Sequence, residues 1–90
     1  MKERYLEITY HRGRLLAAYL YLPRREGDRS AEVKEFPGGI VVDLAEDGRA
    51  IGVELTSPGD VTLEQLNDAL AHYGLPTLPE EEFTPLRHAA

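Results

Sequence analysis

The sequence predicts an α+β fold, with a four- to five-stranded, mainly antiparallel meander sheet and one C-terminal amphipathic helix packed on one face. Two observations carry this prediction. Apolar residues alternate with a period of two in several short segments, and a single stretch with helical spacing follows them. Ninety residues suffice for one domain, which we expect over residues 1–78, followed by an acidic, mobile tail over residues 79–90.

The strongest local signal is Asp47-Gly48, which lies between two runs of β-branched residues. Asp-Gly is a preferred sequence of a two-residue type I′ hairpin turn, so Glu46 is expected to face Arg49. Continued outward, this register pairs Val41 with Glu54 and Asp43 with Gly52 on one face. Folding alone gives no reason for Asp43 to face Gly52. The register places six apolar residues together on the other face, namely Ile40, Val42, Leu44, Ile51, Val53 and Leu55.

An earlier hairpin is predicted from strands at residues 5–10 and 15–22, joined around Arg12-Gly13. We expect a three-residue loop with Gly13 at positive φ, which brings two apolar faces together. A two-residue loop would instead oppose the first face to Leu15, Ala17 and Tyr19. The faces joined by the longer loop are Leu6, Ile8 and Tyr10 on one strand and Leu16, Ala18, Leu20 and Leu22 on the other.

Residues 31–36 are expected to form a short edge strand, because their alternation is weak and they carry Lys34 and Glu35. The helix signal begins at Thr62, which with Gln65 fits a capping box. Gly74 is placed to end the helix in a left-handed conformation. The apolar stripe of this helix consists of Leu63, Leu66, Leu70 and Tyr73.

Composition argues against several functions. The net charge of −6 disfavours direct binding of nucleic acid, since affinity for phosphate comes from Lys and Arg. The chain has no cysteine, and no apolar run approaches the roughly 18 residues of a membrane span. No segment near Met1 has the pattern of a signal peptide. We therefore expect a cytoplasmic protein without disulfides, membrane association or a cofactor.

Charge is distributed unevenly along the chain. Residues 1–34 hold eight Lys/Arg and five Asp/Glu, a net charge of +3, whereas residues 35–90 hold two and eleven, a net charge of −9. Such asymmetry can mark an acidic surface for a basic partner, or only a solvated face that keeps the protein soluble.

No motif indicates catalysis. The three histidines show no metal-ligand spacing, and no phosphate-binding loop or nucleophile motif is present. Asp43 and Glu54 are the candidates for an acid/base pair, but both fit the polar face of an ordinary strand pair. We expect no catalytic, cofactor-binding or metal-binding residues and no enzymatic activity.

The candidate interaction surface consists of Tyr5, Tyr19 and Tyr21 on the sheet face opposite the helix, with Phe36 nearby. Tyrosine is common at interfaces because it combines a large contact area with a polar group. The alternative is that these rings only shield a solvated sheet face, assisted by the side-chain stems of Arg4 and Lys34.

The segment from Gly39 to Leu55 resembles the small prokaryotic family known as domain of unknown function 2283. The matching residues are Gly39, Ile40, Asp43, Gly48, Ile51, Gly52, Val53, Glu54 and Leu55, with Tyr10, Tyr19 and Leu20 matching the first hairpin more loosely. Members usually carry acidic residues in the first hairpin loop, where this chain has His11-Arg12-Gly13-Arg14. The resemblance implies a β-rich protein without an established activity, and an antitoxin-like partner of a small ribonuclease-like toxin.

The leading hypothesis is therefore a non-enzymatic protein-interaction module, an antitoxin-like neutraliser of a basic ribonuclease-like partner. A small-ligand-binding or regulatory domain that uses the tyrosine face or the edge between helix and sheet is the alternative, and an enzyme working through Asp43 and Glu54 is the third. A homodimer is expected, because a chain of this size buries only about 60% of the surface that its unfolded form exposes.

Overall fold

The computed structural model describes residues 3–89, with side chains described as far as Leu86. Five strands precede two helices along the chain. They are β1 (Tyr5–His11), β2 (Arg14–Tyr21), β3 (Glu32–Phe36), β4 (Ile40–Leu44), β5 (Ala50–Leu55), α1 (Leu63–His72) and α2 (Glu80–Ala89).

The strands form one antiparallel sheet in the order β1-β2-β5-β4-β3. This confirms the predicted α+β class and the antiparallel sheet. The predicted meander is wrong, because β5 lies between β2 and β4. Ten residues join β2 to β3, enough for the chain to pass the ends of two strands before it turns back into the sheet. The strands from β3 to β5 then return towards β2.

In the hairpin of β4 and β5, called the second hairpin here, most of the predicted residue pairs are present. Asp43 lies opposite Gly52, but Leu44 pairs with Ala50 rather than with Ile51. The amide of Ala45 donates to the carbonyl of Arg49 at 2.8 Å, so pairing continues to these two residues. The loop is then residues 46–48, three residues instead of the predicted two. The amide of Gly48 donates to the carbonyl of Ala45 at 2.9 Å, and Gly48 has a φ of 90°. Ile51 is the extra residue of a β-bulge, which restores the predicted register beyond it.

In the first hairpin, formed by β1 and β2, the loop is shorter than predicted. Its loop is Arg12-Gly13, two residues long, with φ angles of 52° and 77°, the positive values that a type I′ turn requires. The predicted three-residue loop is therefore wrong. The register nevertheless shifts by one residue between Thr9 and Tyr10 of β1, which leaves Leu16 as the extra residue on β2. Beyond this bulge the predicted faces meet, with Leu6 opposite Leu20 and Ile8 opposite Ala18.

Helix α1 has the predicted caps. The Thr62 side chain accepts from the amide of Gln65, and the Gln65 side chain accepts from the amide of Thr62. At the other end Gly74 has a φ of 68°, and the amide of Leu75 reaches back to the carbonyl of Leu70 at 3.0 Å. This pattern is a Schellman motif, which satisfies carbonyl groups at the end of the helix.

Helix α2 corrects the prediction of a single helix followed by a tail. It contains Pro85, and it buries Phe83 and Leu86. The segment before it is fixed to α1, because the side-chain amide of Asn67 donates to and accepts from the backbone of Leu78 at 3.1 and 2.7 Å. Neither helix within the described residues is long and apolar enough to cross a membrane.

The core lies between one face of the sheet, called the inner face here, and the two helices. Strand residues that alternate with period two point into it, and both helices add leucines. Its buried members are Ala18, Leu20, Leu22, Ile40, Val42, Leu44, Val53, Leu55, Val61, Leu66, Ala69, Leu70, Leu78, Phe83 and Leu86.

Candidate interaction surface on the open face of the sheet

The other face of the sheet, called the outer face here, is the one opposite the core. Its residues are the intervening members of each strand, and the register places them in rows across the sheet. One row runs from β1 to β3 through Tyr5, Tyr21, Gly52, Asp43 and Val33, and the next through Glu7, Tyr19, Glu54, Val41 and Glu35.

Three tyrosines form a contiguous group on this face. The rings of Tyr5 and Tyr21 stack, with centroids 4.6 Å apart and an angle of 18° between their planes. The Tyr19 ring lies 4.6 Å from that of Tyr21, at 54°. Half of the surface of Tyr5 is exposed (50%), while the other two are partly buried. The predicted grouping of the tyrosines is therefore present.

Three glutamates lie beside the rings. Glu7, Glu54 and Glu35 are all exposed and occupy alternate strands of one row, so their backbones are roughly 10 Å apart. This spacing lets each carboxylate remain hydrated while the three together create a negative field. The surface is called the tyrosine–glutamate face below and consists of Tyr5, Tyr19, Tyr21, Glu7, Glu35 and Glu54.

Tyr19 is held in place across a neighbouring strand. Its ring passes over Gly52, where a Cβ atom would lie only 1.9 Å from the phenol oxygen and 2.4 Å from Cζ. The phenol then donates a hydrogen bond to Oδ2 of Asp43 on the next strand. The pairing of Asp43 with Gly52, which the sequence left unexplained, thus has a structural reason. Only glycine leaves room for the ring between β2 and the acceptor on β4.

Electrostatics keep Tyr19 protonated. Partial burial, and next the hydrogen bond to Asp43, raise the pKa of Tyr19 well above its ordinary value of 10.0. Asp43 also accepts from the hydroxyl of Ser30 at 3.3 Å. The negative charge of Glu7 is the main cause that raises the pKa of Tyr21. Both phenols are therefore hydrogen-bond donors at neutral pH and not nucleophiles.

Arg24 borders the face on one side. Its Nε donates to the carbonyl of Ile51 at 3.1 Å, and its guanidinium lies 6.0 Å from the centroid of the Tyr21 ring. The latter distance is at the limit of a cation–π contact. A positive charge of this chain thus already lies beside one ring of the face.

Phe36 is separated from the three tyrosines. It pairs with Ile40 on the inner face, and its ring lies edge-on to His72 and Tyr73 at 5.4 and 5.9 Å. The ring fills the gap between the sheet and the end of α1. Of the four aromatic residues predicted as an interaction surface, three lie together and Phe36 belongs to the packing of the helix.

Asp47 has a second contact besides its place in the turn. Its carboxylate accepts from Nε of Arg49 at 2.7 Å, and the same guanidinium makes two bonds to Asp28 at 2.7 and 3.2 Å. The hydrogen bonds from Arg49 lower the pKa of both carboxyl groups. This cluster ties the β2–β3 connection to the turn of the second hairpin. It lines a cleft of about 620 Å³, in which the charge of Arg49 is already balanced.

Asp43 and Glu54 share the outer face but do not form an acid/base pair in a cleft. Glu54 is exposed on the open sheet, and Asp43 accepts from Tyr19 and Ser30. Neither residue lines this cleft, a cleft of about 420 Å³ between the Asp47-Gly48 turn and Tyr73, or one of about 260 Å³ between Phe36 and α1. Within the described residues, no group of three His, Asp or Glu is arranged to hold a metal ion.

Sequence reasoning missed the glutamate row. Glu7 and Glu35 are distant in sequence and are aligned only because β5 is inserted between β2 and β4. A sequence signal existed in β1, where Glu7 lies between Leu6 and Ile8, but not in β3, where Glu35 follows Lys34. Comparison with models of protein families, with curated proteins and with solved structures gave no match for this chain.

Proposed function

We propose that this protein is a non-enzymatic interaction module that binds a basic segment of a protein partner on the tyrosine–glutamate face. The observation that carries the proposal is the alternation of exposed carboxylates and tyrosine rings on one open face of the sheet. Lys and Arg side chains bind both groups, the carboxylates by charge-assisted hydrogen bonds and the rings by cation–π contacts.

The charges on and around the tyrosine–glutamate face favour a positively charged partner. Glu7, Glu54 and Glu35 span the whole width of the sheet, so an extended or helical basic segment could contact several of them. The net charge of −6 adds long-range attraction, which speeds the encounter of oppositely charged proteins. The stacked rings of Tyr5 and Tyr21 supply a rigid contact area that loses little side-chain entropy on binding.

The resemblance to the family of domain of unknown function 2283 makes the proposal more specific. It suggests an antitoxin-like role, in which the partner is a small ribonuclease-like toxin. Such an enzyme must attract the phosphates of RNA and therefore carries a basic surface. A negatively charged face that covers this surface would neutralise the enzyme by excluding its substrate.

The test compares two variants of equal charge in a pull-down from the native cell. The face variant is Glu7→Lys, Glu35→Lys and Glu54→Lys, and the control variant is Glu26→Lys, Glu46→Lys and Asp60→Lys. All six residues are exposed, and each variant changes the net charge by the same amount. We expect a basic protein to be retained by the wild type and by the control and to be lost by the face variant, as measured by quantitative mass spectrometry.

A direct measurement locates the binding site. The protein is titrated with an arginine-rich peptide while amide NMR shifts are followed. The largest shifts are expected in β1, β2, β5 and β3, the strands that carry the tyrosine–glutamate face, and they should weaken as salt screens the attraction. Equal losses of binding in both variants, or shifts spread over α1 and α2, would show that net charge alone attracts the peptide and would refute the proposal.

A further inference from the structure

The two edges of the sheet differ in how well they are protected from pairing with another chain. Strand β3 forms one edge, where Lys34 and Glu32 make an ion pair of 3.1 Å and Glu35 adds a further charge. Charged side chains on an edge strand oppose the addition of another strand, because pairing would bury or align the charges. The β3 edge is thus protected by its own sequence.

Strand β1 forms the opposite edge and is less protected, because Glu7 on the outer face is its only Asp, Glu, Lys or Arg. It is seven residues long and contains neither proline, glycine nor lysine. On the inner face of this edge, Leu6 and Ile8 are only partly buried, although the helices cover the strands beside them. Tyr10 (51% exposed) continues this row towards the hairpin turn. A long edge strand with an exposed apolar row is a site at which a further strand can add.

We propose that β1 pairs antiparallel with β1 of a second copy, with Ile8 on the two-fold axis. This register places Leu6 opposite Tyr10 of the partner subunit and Glu7 opposite Thr9 of the partner subunit. Tyr5 then faces His11 of the partner subunit. Every residue of the strand is paired, the apolar residues meet on the inner face and no two like charges are opposed.

Other registers satisfy fewer of these conditions. A shift that centres the axis on Glu7 would oppose two carboxylates. A shift that centres it on Thr9 would leave Tyr5 and Leu6 without partners. A register offset by a single residue would place side chains of the inner face opposite those of the outer face, so that the two helical layers would lie on different sides of the joined sheet.

The pairing creates a continuous sheet of ten strands, five from each copy. Its two-fold axis is perpendicular to the sheet, so both helical layers lie on one side and both tyrosine–glutamate faces lie on the other. Two adjacent faces would allow a partner with two basic segments to bind more tightly than a single face allows. The pairing uses the edge of the sheet and does not depend on whether the outer face binds a basic partner.

The oligomeric state tests the proposal. The wild type is expected to have twice the 10.1 kDa mass of one chain by light scattering at micromolar concentrations. Ile8→Lys places two charges beside the axis and should give a monomer. The matched control is Val33→Lys, which alters an apolar residue of the β3 edge that is 52% exposed, and it should leave the dimer intact. Circular dichroism checks that each variant is folded.

A cross-link provides an answer even if Ile8→Lys fails to fold. The chain has no cysteine, so Ile8→Cys introduces a single thiol. Residues opposed across two antiparallel strands have Cβ atoms about 4.5–5.5 Å apart, within reach of a short bis-maleimide. We expect a cross-linked dimer from Ile8→Cys and none from Val33→Cys. A monomeric wild type, or equal cross-linking of both variants, would overturn the proposal.

Discussion

Gly52 determines where the Tyr19 side chain lies on the outer face. In most strand positions a glycine weakens the sheet, because it adds backbone entropy and buries no side chain. Here its missing Cβ provides the space for a ring that starts on β2 and reaches Asp43 on β4. A single hydrogen bond thus connects strands that are not neighbours in the sheet, and it fixes the ring in the middle of the tyrosine–glutamate face.

Gly52→Ala is expected to destabilise the protein by about 1–3 kcal/mol, because the added methyl group would displace the Tyr19 ring. In a Tyr19→Ala background the same substitution should stabilise by roughly 0.5–1 kcal/mol, since alanine is then better than glycine in a strand. Urea denaturation of the four proteins of this double-mutant cycle measures the coupling. A similar cost of Gly52→Ala in both backgrounds would contradict the role assigned to the ring.

The raised pKa of Tyr19 has a consequence for stability at high pH. An unfolded tyrosine loses its proton near its ordinary pKa of 10.0, whereas the folded protein still holds it. The folded state then binds more protons, so the free energy of unfolding falls as the pH rises above about 10 and is unaffected by this group below that value. The free energy of unfolding of the Tyr19→Phe variant should fall less steeply over this pH range. Urea denaturation at a series of pH values measures the two slopes, and equal slopes would contradict the prediction.

Both hairpins show how loops and bulges compensate for one another. The sequence predicted which residues face the core, and most of that pairing is present in the structure. The predicted loop lengths were wrong in both hairpins, each by one residue. A β-bulge at Leu16 and another at Ile51 offset the error in loop length, so that the predicted residue pairs return beyond each bulge. Burial of the apolar face fixes the register more strongly than the turn does. A β-bulge has no reliable sequence signal, so the error could not be seen beforehand.

The turn of the first hairpin contains a residue that does not suit it. Arg12 has a φ of 52°, and a left-handed conformation costs an ordinary residue about 1 kcal/mol or more. Arg12→Asn creates Asn-Gly, the preferred sequence of a type I′ turn, and should stabilise the protein by up to about 1 kcal/mol. Thermal unfolding compares it with Arg14→Asn, an exposed neighbour in β2, which should give no such gain.

Helix α2 was the largest error of the sequence-based prediction at the level of elements. The run of Glu80, Glu81 and Glu82 suggested an acidic, mobile tail. The sequence contains only weaker signals of a helix in this segment. Acidic residues directly after Pro79 suit the positive end of a helix, and Phe83 and Leu86 are spaced to share one helix face. These short-range signals gain their effect only because the core has an open side for the two residues to fill.

The whole molecule depends on α2 to close its core. Phe83 is 2% exposed, so Phe83→Ala should cost about 3–5 kcal/mol through lost burial and the cavity left behind. The matched control is Glu81→Ala, which changes an exposed residue of the same helix and should cost little. Chemical denaturation measures both. A small loss for Phe83→Ala would mean that residues 80–89 are dispensable, as expected of a tail.

Strand order decides the character of the outer face. Along the chain, basic residues dominate the first third and acidic residues the remainder. In the fold, β5 is inserted beside β2, so that Glu54 lies next to Tyr19 and between Glu7 and the β3 edge. The fold thereby aligns Glu7 of the basic segment with Glu35 and Glu54 of the acidic segment in a row among tyrosines, and neither segment alone predicts this row.

The sequence by itself determined the α+β class, the inner faces of the strands, the position and both caps of α1, and the grouping of Tyr5, Tyr19 and Tyr21. These features follow from periodicity and from interactions between residues close in the chain. Only the tertiary structure decided the strand order, the helical state of Glu80–Ala89, the separation of Phe36 from the tyrosines, and the passage of Tyr19 over Gly52 to Asp43. Each of these depends on contacts between distant segments, and local propensities do not encode which segments will meet.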